Sequence, residues 1–230
     1  MGNGELELDP LDQSTLRARK RSRRRDALSY GSADREASPR RNESRRAEGV
    51  LTARVQLPAA RYDFPTANRL FGESLARIAA LPGVENLAGT RCVPLAGPCI
   101  GTGFDRADRP RPSGQAPSAQ VRPITPACFK TMGIPQVAGR DFSASDTTDS
   151  VPVAIVSEAL VKEEFADEAP VGRRLRINVT AASGRTDVEW MVVGVVGDIK
   201  LSSLEGAFRP TIYVPTTQLP GPNMSFIVRT

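Results

Sequence analysis

Eight consecutive residues without a charge, Trp190 to Gly197, lie between Glu189 and Asp198, and four of them are valines. A helix that crosses a bilayer needs about 20 apolar residues, so this run is too short to be one. Its β-branched content and its lack of alternation predict a strand covered on both faces. Strict alternation places Val193 and Val195 on one face, with Val192 and Val196 on the other. Gly194 and Gly197 share the three-residue spacing of phosphate-binding and RNA-binding loops. No basic residue separates them, however, and Val195-Val196 is strand material, so a bulge or a close backbone approach is the expected reason for them. Aromatic residues make up only 5% of the chain, which leaves aliphatic side chains to build the core.

The 230 residues include no histidine. That excludes a Ser-His-Asp triad, a Cys-His pair, a histidine-ligated zinc and an imidazole base near neutral pH. Three cysteines, Cys92, Cys99 and Cys128, form no Cys-x-x-Cys motif, and their odd number leaves one without an internal partner. Cys92 and Cys99 flank a Pro-Leu-Ala-Gly-Pro turn and are spaced to bridge in an oxidising compartment. Three free, partly buried thiols are the expectation.

Charge divides the chain. Residues 1–12 carry four acids and no base, and residues 13–46 carry twelve Lys/Arg against four acids. Residues 49–230 hold nineteen bases against seventeen acids, so this part is nearly neutral and the larger share of the net charge of +5 lies in the tail. With scattered leucines and no apolar periodicity, residues 1–48 cannot bury enough surface to offset chain entropy and are expected to be disordered. The run Arg17-Ala-Arg-Lys-Arg-Ser-Arg-Arg-Arg25 attracts phosphate, which gives one alternative reading: a small basic nucleic-acid-binding protein acting through its tail. No aromatic interleaves the run and no helical face emerges from it, so a solvated basic tail is preferred and nucleic acid is not expected as a partner. Met1 is followed by polar and acidic residues, so a signal peptide is not expected either.

From residue 49 onward the pattern is that of a folded α+β domain. Val50 to Leu57 alternates as a strand, with Leu51, Ala53, Val55 and Leu57 on one face. Leu70, Phe71, Leu75, Ile78 and Ala79 then recur at helical spacing, with Arg69, Glu73 and Arg77 outside the stripe, Pro65 in the first turn and Pro82-Gly83 as the stop. Val84 to Val93 reads as a second strand. Residues 94–118, rich in Pro and Gly, are predicted to be a surface loop. Gly101-Thr-Gly103 within them lacks the third glycine and the Gly-Lys-Ser/Thr ending of a nucleotide loop. Ala119 to Ile124 reads as a strand, Pro126 to Met132 as a short helix, and Val151 to Val156 as a buried strand. Ser157 is placed to cap a helix running to Phe165. Leu175 to Ile177, Val188 to Val196, Thr211 to Val214 and Met224 to Val228 read as short strands.

Two acidic pairs invite a chemical reading. Asp141 and Asp146 could share a metal or a proton, but the first adjoins a turn glycine and the second sits among Ser and Thr, where acids cap turns. Glu163 and Glu164 are expected to be a solvated helix face. No catalytic, cofactor-binding or metal-binding residue is therefore assigned.

Three blocks carry a resemblance: Pro126 to Phe142, Val153 to Leu160, and Trp190 to Lys200, closed by Arg209-Pro-Thr-Ile-Tyr-Val-Pro215. In this order and at these separations they resemble the MacB-like periplasmic core domain of FtsX/MacB-type ABC transporter permeases, in particular the large soil-bacterial permeases. The resemblance covers about residues 49–230. It implies a porter-like α/β part with an inserted small β-rich part, the first using Val50 to Val93 and the closing strands, the second including Gly172 to Asp198. It also implies a non-enzymatic domain outside the membrane, on the periplasmic side of the bacterial inner membrane, coupling transmembrane movement to substrate export or partner engagement. The implied partners are permease helices, a separate ATPase subunit or domain, and a periplasmic adaptor protein. With no spanning segment and no Walker motif in the sequence, a detached or truncated permease fragment is expected.

If apolar periodicity marks the fold, residues 49–230 should unfold cooperatively without residues 1–48. Limited proteolysis should trim the arginine-rich tail and leave a resistant core. Loss of a cooperative thermal transition on removing residues 1–48 would overturn the boundary.

Overall fold

The computed structural model describes residues 49–230, except 97–98, 113, 167 and 201–205. The basic run at residues 17–25 lies outside them. In chain order the elements are β1 (Val50–Gln56), α1 (Phe64–Ala79), β2 (Asn86–Thr90), β3 (Ile100–Arg106), β4 (Ser118–Ile124), α2 (Cys128–Met132), β5 (Gln136–Gly139), β6 (Val153–Ser157), α3 (Glu158–Glu164), β7 (Arg174–Ile177), β8 (Glu189–Val196), β9 (Thr211–Pro215) and β10 (Asn223–Arg229). The fold is α+β, with the helices packed on a sheet in the order β1-β10-β2-β4-β3-β7-β8-β6-β9.

That order closes on itself, because β9 also pairs in parallel with β4 over Gln120 to Ile124. Six strands, β4, β3, β7, β8, β6 and β9, thus form a ring without free edges, which is how small β units avoid exposing unpaired backbone. A single core cluster draws on all six: Phe104, Val121, Val156, Leu175, Trp190, Val192, Val195, Ile212 and Val214 are among its members, and Leu160 and Phe165 at the two ends of α3 join it. On the opposite strand faces, Val153, Ile155, Val193, Val196 and Tyr213 pack with Phe129 of α2, Ile134, Phe142 and Ile227. The strongest apolar run is therefore covered on both sides, as its composition requires.

The partition of β8 between those faces differs from strict alternation. Val192 shares its cluster with Val195, and Val193 shares its cluster with Val196. The register against β6 slips at this point, since Ala154 faces Val192 but Ile155 faces Gly194. One extra residue is taken up there, and a bulge shifts the side-chain phase by one. Gly194 allows the chain at the end of β5 to approach closely, because a Cβ there would collide with the Arg140 carbonyl.

Helix α1 follows its sequence pattern. The Asp63 side chain accepts from the Thr66 N–H at 2.9 Å as the N-cap, with Pro65 in the first turn. Phe71 is buried against Phe226 and Met224 of β10, and Leu75 and Ile78 are half-buried beside them. Ala79, at the end of the stripe, is exposed. The face of β1 that carries Leu51, Ala53 and Val55 lies beyond the reach of this helix. Leu51 is 63% exposed as a result, since β1 is paired only with β10.

Two strands escaped the pattern. The predicted loop of residues 94–118 contains β3, which pairs Ile100 to Gly103 with β4 and Phe104 to Arg106 with β7. Gly101 and Gly103 carry no side-chain signal, and the ladder that holds them is entirely long-range. Strand β5 is exposed at all four residues and pairs only with β8, so no apolar alternation marks it.

Val193 is 6% exposed. Val193→Asp places an unpaired carboxylate in the layer between the ring and α2 and should cost about 3 kcal/mol or more. Chemical denaturation should register this as a large fall in midpoint, and an unchanged midpoint would sink the assignment of a doubly covered strand.

Candidate functional site

The acids singled out in the sequence do not converge. Asp146 is buried and takes a two-pronged contact from Arg140, at 2.8 Å to each oxygen, together with the Ser143 N–H at 2.9 Å. Burial alone would raise its carboxyl, but the Arg140 and Ser143 hydrogen bonds outweigh burial and hold it below the usual carboxylate range. Asp141 accepts from the Phe142 N–H at 2.7 Å, and there burial prevails and raises the carboxyl. One acid is locked into an ion pair and the other terminates a turn, so no shared proton or metal position results. Among the described residues no group of three or more His, Cys, Asp or Glu side chains is placed to hold a metal ion.

Glu163 is exposed as expected, but Glu164 is not a solvated face. Its side chain is mostly buried and pairs with Arg111 at 2.8 Å. It belongs to a network around Arg106, whose guanidinium donates to Asp108 and to Glu168 at 2.7 Å, donates to the Glu164 carbonyl, and stacks 4.7 Å from the Phe165 ring. Arg173 and Arg109 extend the network at 3.3 Å to Asp108 and 2.8 Å to Glu168. The side chain of Arg106 is 3% exposed, so these partners compensate a buried cation and fasten the end of α3 to β3.

The cysteines correct the expectation of three free thiols. Cys92 and Cys99 form a disulfide across 5.6 Å between their Cα atoms, a spacing that suits a bridge. Cys128 remains free, and burial pushes its thiol up to about 12, which makes it inert as a nucleophile.

An open apolar groove lies where β5 runs past α3. Its volume is about 600 Å³, and it is lined by Val137, Val161, Ala166, Pro170 and Val195, with Glu158 and Lys162 on its rim. Val137 on β5 is 52% exposed. Asp198, also on this wall, is occupied in capping: it accepts from the Ala159 N–H at 2.9 Å while Ser157 accepts from Leu160. Ser157 was legible as a cap from the sequence, but Asp198 was not, because it lies 39 residues from its helix. The groove has an apolar floor and a charged rim, and its lining includes no Ser, Cys or His nucleophile or base.

The sequence profile of the MacB-like periplasmic core domain matches residues 29–230. The structure is similar to the periplasmic region of MacB from Actinobacillus actinomycetemcomitans, with 16% identity and a TM-score of 0.51 over 79% of this chain and 74% of that one. It is also similar to the extracellular domain of the noncanonic ABC-type transporter YknZ from Gram-positive bacteria, with 13% identity and a TM-score of 0.48 over 79% of this chain and 83% of that one. No curated protein matches the chain.

The opposite environments of Asp141 and Asp146 should be separable by acid titration. Asp146, held low in the folded state, contributes stability that is present above about pH 4, its unfolded range, and is lost as the pH falls through its folded value. Asp141, held high, opposes folding above its folded value and ceases to do so as it protonates. Asp146→Asn should lower stability at neutral pH and flatten the acid limb, whereas Asp141→Asn should raise neutral stability and leave the limb steeper. Thermal midpoints measured between pH 3 and 7 decide this, and shifts of the same sign would contradict the assignment.

Proposed function

Because the chain belongs to the family of MacB-like periplasmic core domains, we propose that its folded part transmits movement between membrane segments and a partner on the periplasmic side. The family consists of periplasmic domains of ABC transporter permeases, which work with ATPase subunits. No helix among the described residues is long and apolar enough to cross a membrane. In this reading the domain is non-enzymatic and has no catalytic, cofactor-binding or metal-binding residue. It serves substrate export or the engagement of a periplasmic adaptor, and residues 49–230 are the unit that does so.

One observation carries the reading. β1 and β10 are antiparallel neighbours, with Val50 opposite Arg229, and the Thr230 N–H donates to the Gly49 carbonyl at 2.9 Å. Residues 49 and 230 of the folded part therefore lie side by side. A domain of this form can be carried between two consecutive membrane helices, and relative movement of those helices would act directly on the β1–β10 pair. The disulfide at Cys92 and Cys99 agrees with an oxidising compartment.

Apolar helices of spanning length joined before residue 49 and after residue 230 should both insert, leaving the domain folded and open to protease from the periplasm. Aggregation of that chimaera, or a domain shielded from periplasmic protease, would count against the reading. The full chain with magnesium should not hydrolyse ATP, since no Gly-rich cradle ending in Gly-Lys-Ser/Thr occurs in the sequence. Steady release of inorganic phosphate from ATP by the purified chain would overturn the assignment of nucleotide chemistry to a separate subunit.

A further inference from the structure

A second concave feature, about 220 Å³ in volume, opens on the sheet face opposite α1, between β1 and the segment that follows β2. Its walls include Thr52, Arg54, Arg91 and Ser225, with Cys92 of the disulfide beside them. Arg54 and Ser225 are directly opposed across the β1–β10 ladder, so their side chains rise on one face. Arg91 reaches the pocket from the end of β2. Its backbone is fixed by the Asn223 side chain, which donates to the Arg91 carbonyl at 3.1 Å, and its guanidinium lies against Gly221 and donates to the Pro220 carbonyl at 3.1 Å.

The electrostatics of this pocket are incomplete. Among the described residues neither the exposed Arg54 nor the partly buried Arg91 forms an ion pair. The Arg91 Nε is buried and has no hydrogen-bond partner. Burial shifts Arg91 down from its ordinary value, the direction expected of a cation without a counter-charge. The pocket lining holds no carboxylate, and the Ser225 hydroxyl, on a residue 4% exposed, makes no hydrogen bond among the described residues. A buried N–H left unpaired carries its full desolvation cost.

We propose that this pocket binds the phosphate group of a small anion or of a phospholipid headgroup, held between Arg54 and Arg91 and by the hydroxyls of Thr52 and Ser225. A tetrahedral oxyanion presents enough acceptors for two guanidinium forks and two hydroxyl donors at once, which a planar carboxylate does not. The volume exceeds what one water needs and is too small for a whole nucleotide. It fits a phosphate whose substituent leads out through the open side. The free-phosphate source requires nothing of the transporter reading, whereas the lipid source places this face near the membrane and so rests on it.

The test uses the full chain. Sodium phosphate, compared with sodium chloride at equal ionic strength, should raise the thermal midpoint saturably and give a one-to-one calorimetric isotherm. Arg91→Gln and Arg54→Gln should each weaken phosphate by about tenfold or more, the loss expected for one charge-assisted contact. Arg54 is exposed, so its variant remains informative if the Arg91 variant folds poorly. It also separates the pocket from the arginine-rich tail, which both variants retain. Co-sedimentation with phosphatidylglycerol vesicles distinguishes the sources: binding reduced by Arg54→Gln and competed by phosphate assigns a headgroup, and binding that Arg54→Gln leaves unchanged, beside a phosphate isotherm that it weakens, assigns a free phosphate. A phosphate response no greater than that of chloride, or an affinity that neither arginine variant alters, overturns the proposal.

Discussion

The parallel pairing of β4 with β9 is the contact on which the remaining architecture depends. Without it the sheet would be an open ribbon with β9 as an exposed edge, and the side chains of the six ring strands would have no common interior. With it, Gln120 and Val121 pair β3 on one side and β9 on the other, while Ile124 at the far end meets Thr90 of β2. β4 is therefore shared: Gln120 to Ile124 belong to the ring, and Ile124 also joins the ring to the β1–β10–β2 sheet. The same joint is fastened by side chains, since Arg122 on β4 donates to the Cys92 carbonyl at 2.7 Å and the Thr125 hydroxyl accepts from the Gly89 N–H at 2.7 Å. The disulfide closes the segment that supplies that carbonyl, so the covalent link and the buried guanidinium hold one connection.

What the sequence revealed follows from the range of the interactions involved. Helix α1, the Ser157 cap and the doubly covered β8 are marked by local periodicity or by a single polar residue at a defined offset, and they are found where the pattern places them. β3 and β5 are defined by partners far away in sequence. Glycines 101 and 103 give no pattern to read, and the four residues of β5 are all exposed. The face assignment within β8 shows the limit most clearly. Alternation counts residues, but a bulge at Gly194 inserts one, and only the facing strand reveals it.

The candidate site obeys the same division. Arg140 and Asp146 are six residues apart and form a turn that polar residue types announce. Glu164 was misjudged because its partner Arg111 lies in the Pro-rich segment, 53 residues earlier, with nothing local to tie the two. The cysteine bridge was open as a spacing and disfavoured as a chemistry. What decides it is the turn geometry that brings the two Cα atoms within reach.

Placement of charge separates the parts of the molecule that are self-sufficient from those that are not. Around Arg106 each enclosed cation meets carboxylates from neighbouring elements, and the end of α3 is a finished structural joint. Arg140 and Asp146 form a second such joint. The pocket at Arg54 and Arg91 differs from these two joints, since its lining supplies no acid. It also adjoins the β1–β10 pair. A counter-charge taken up there would bridge β1 to the disulfide-closed segment after β2, and through the Cys92 carbonyl to Arg122 of the ring. An anion there would add one more tie to a joint that already holds the Ile124–Thr90 pairing and the Thr125–Gly89 and Arg122–Cys92 hydrogen bonds.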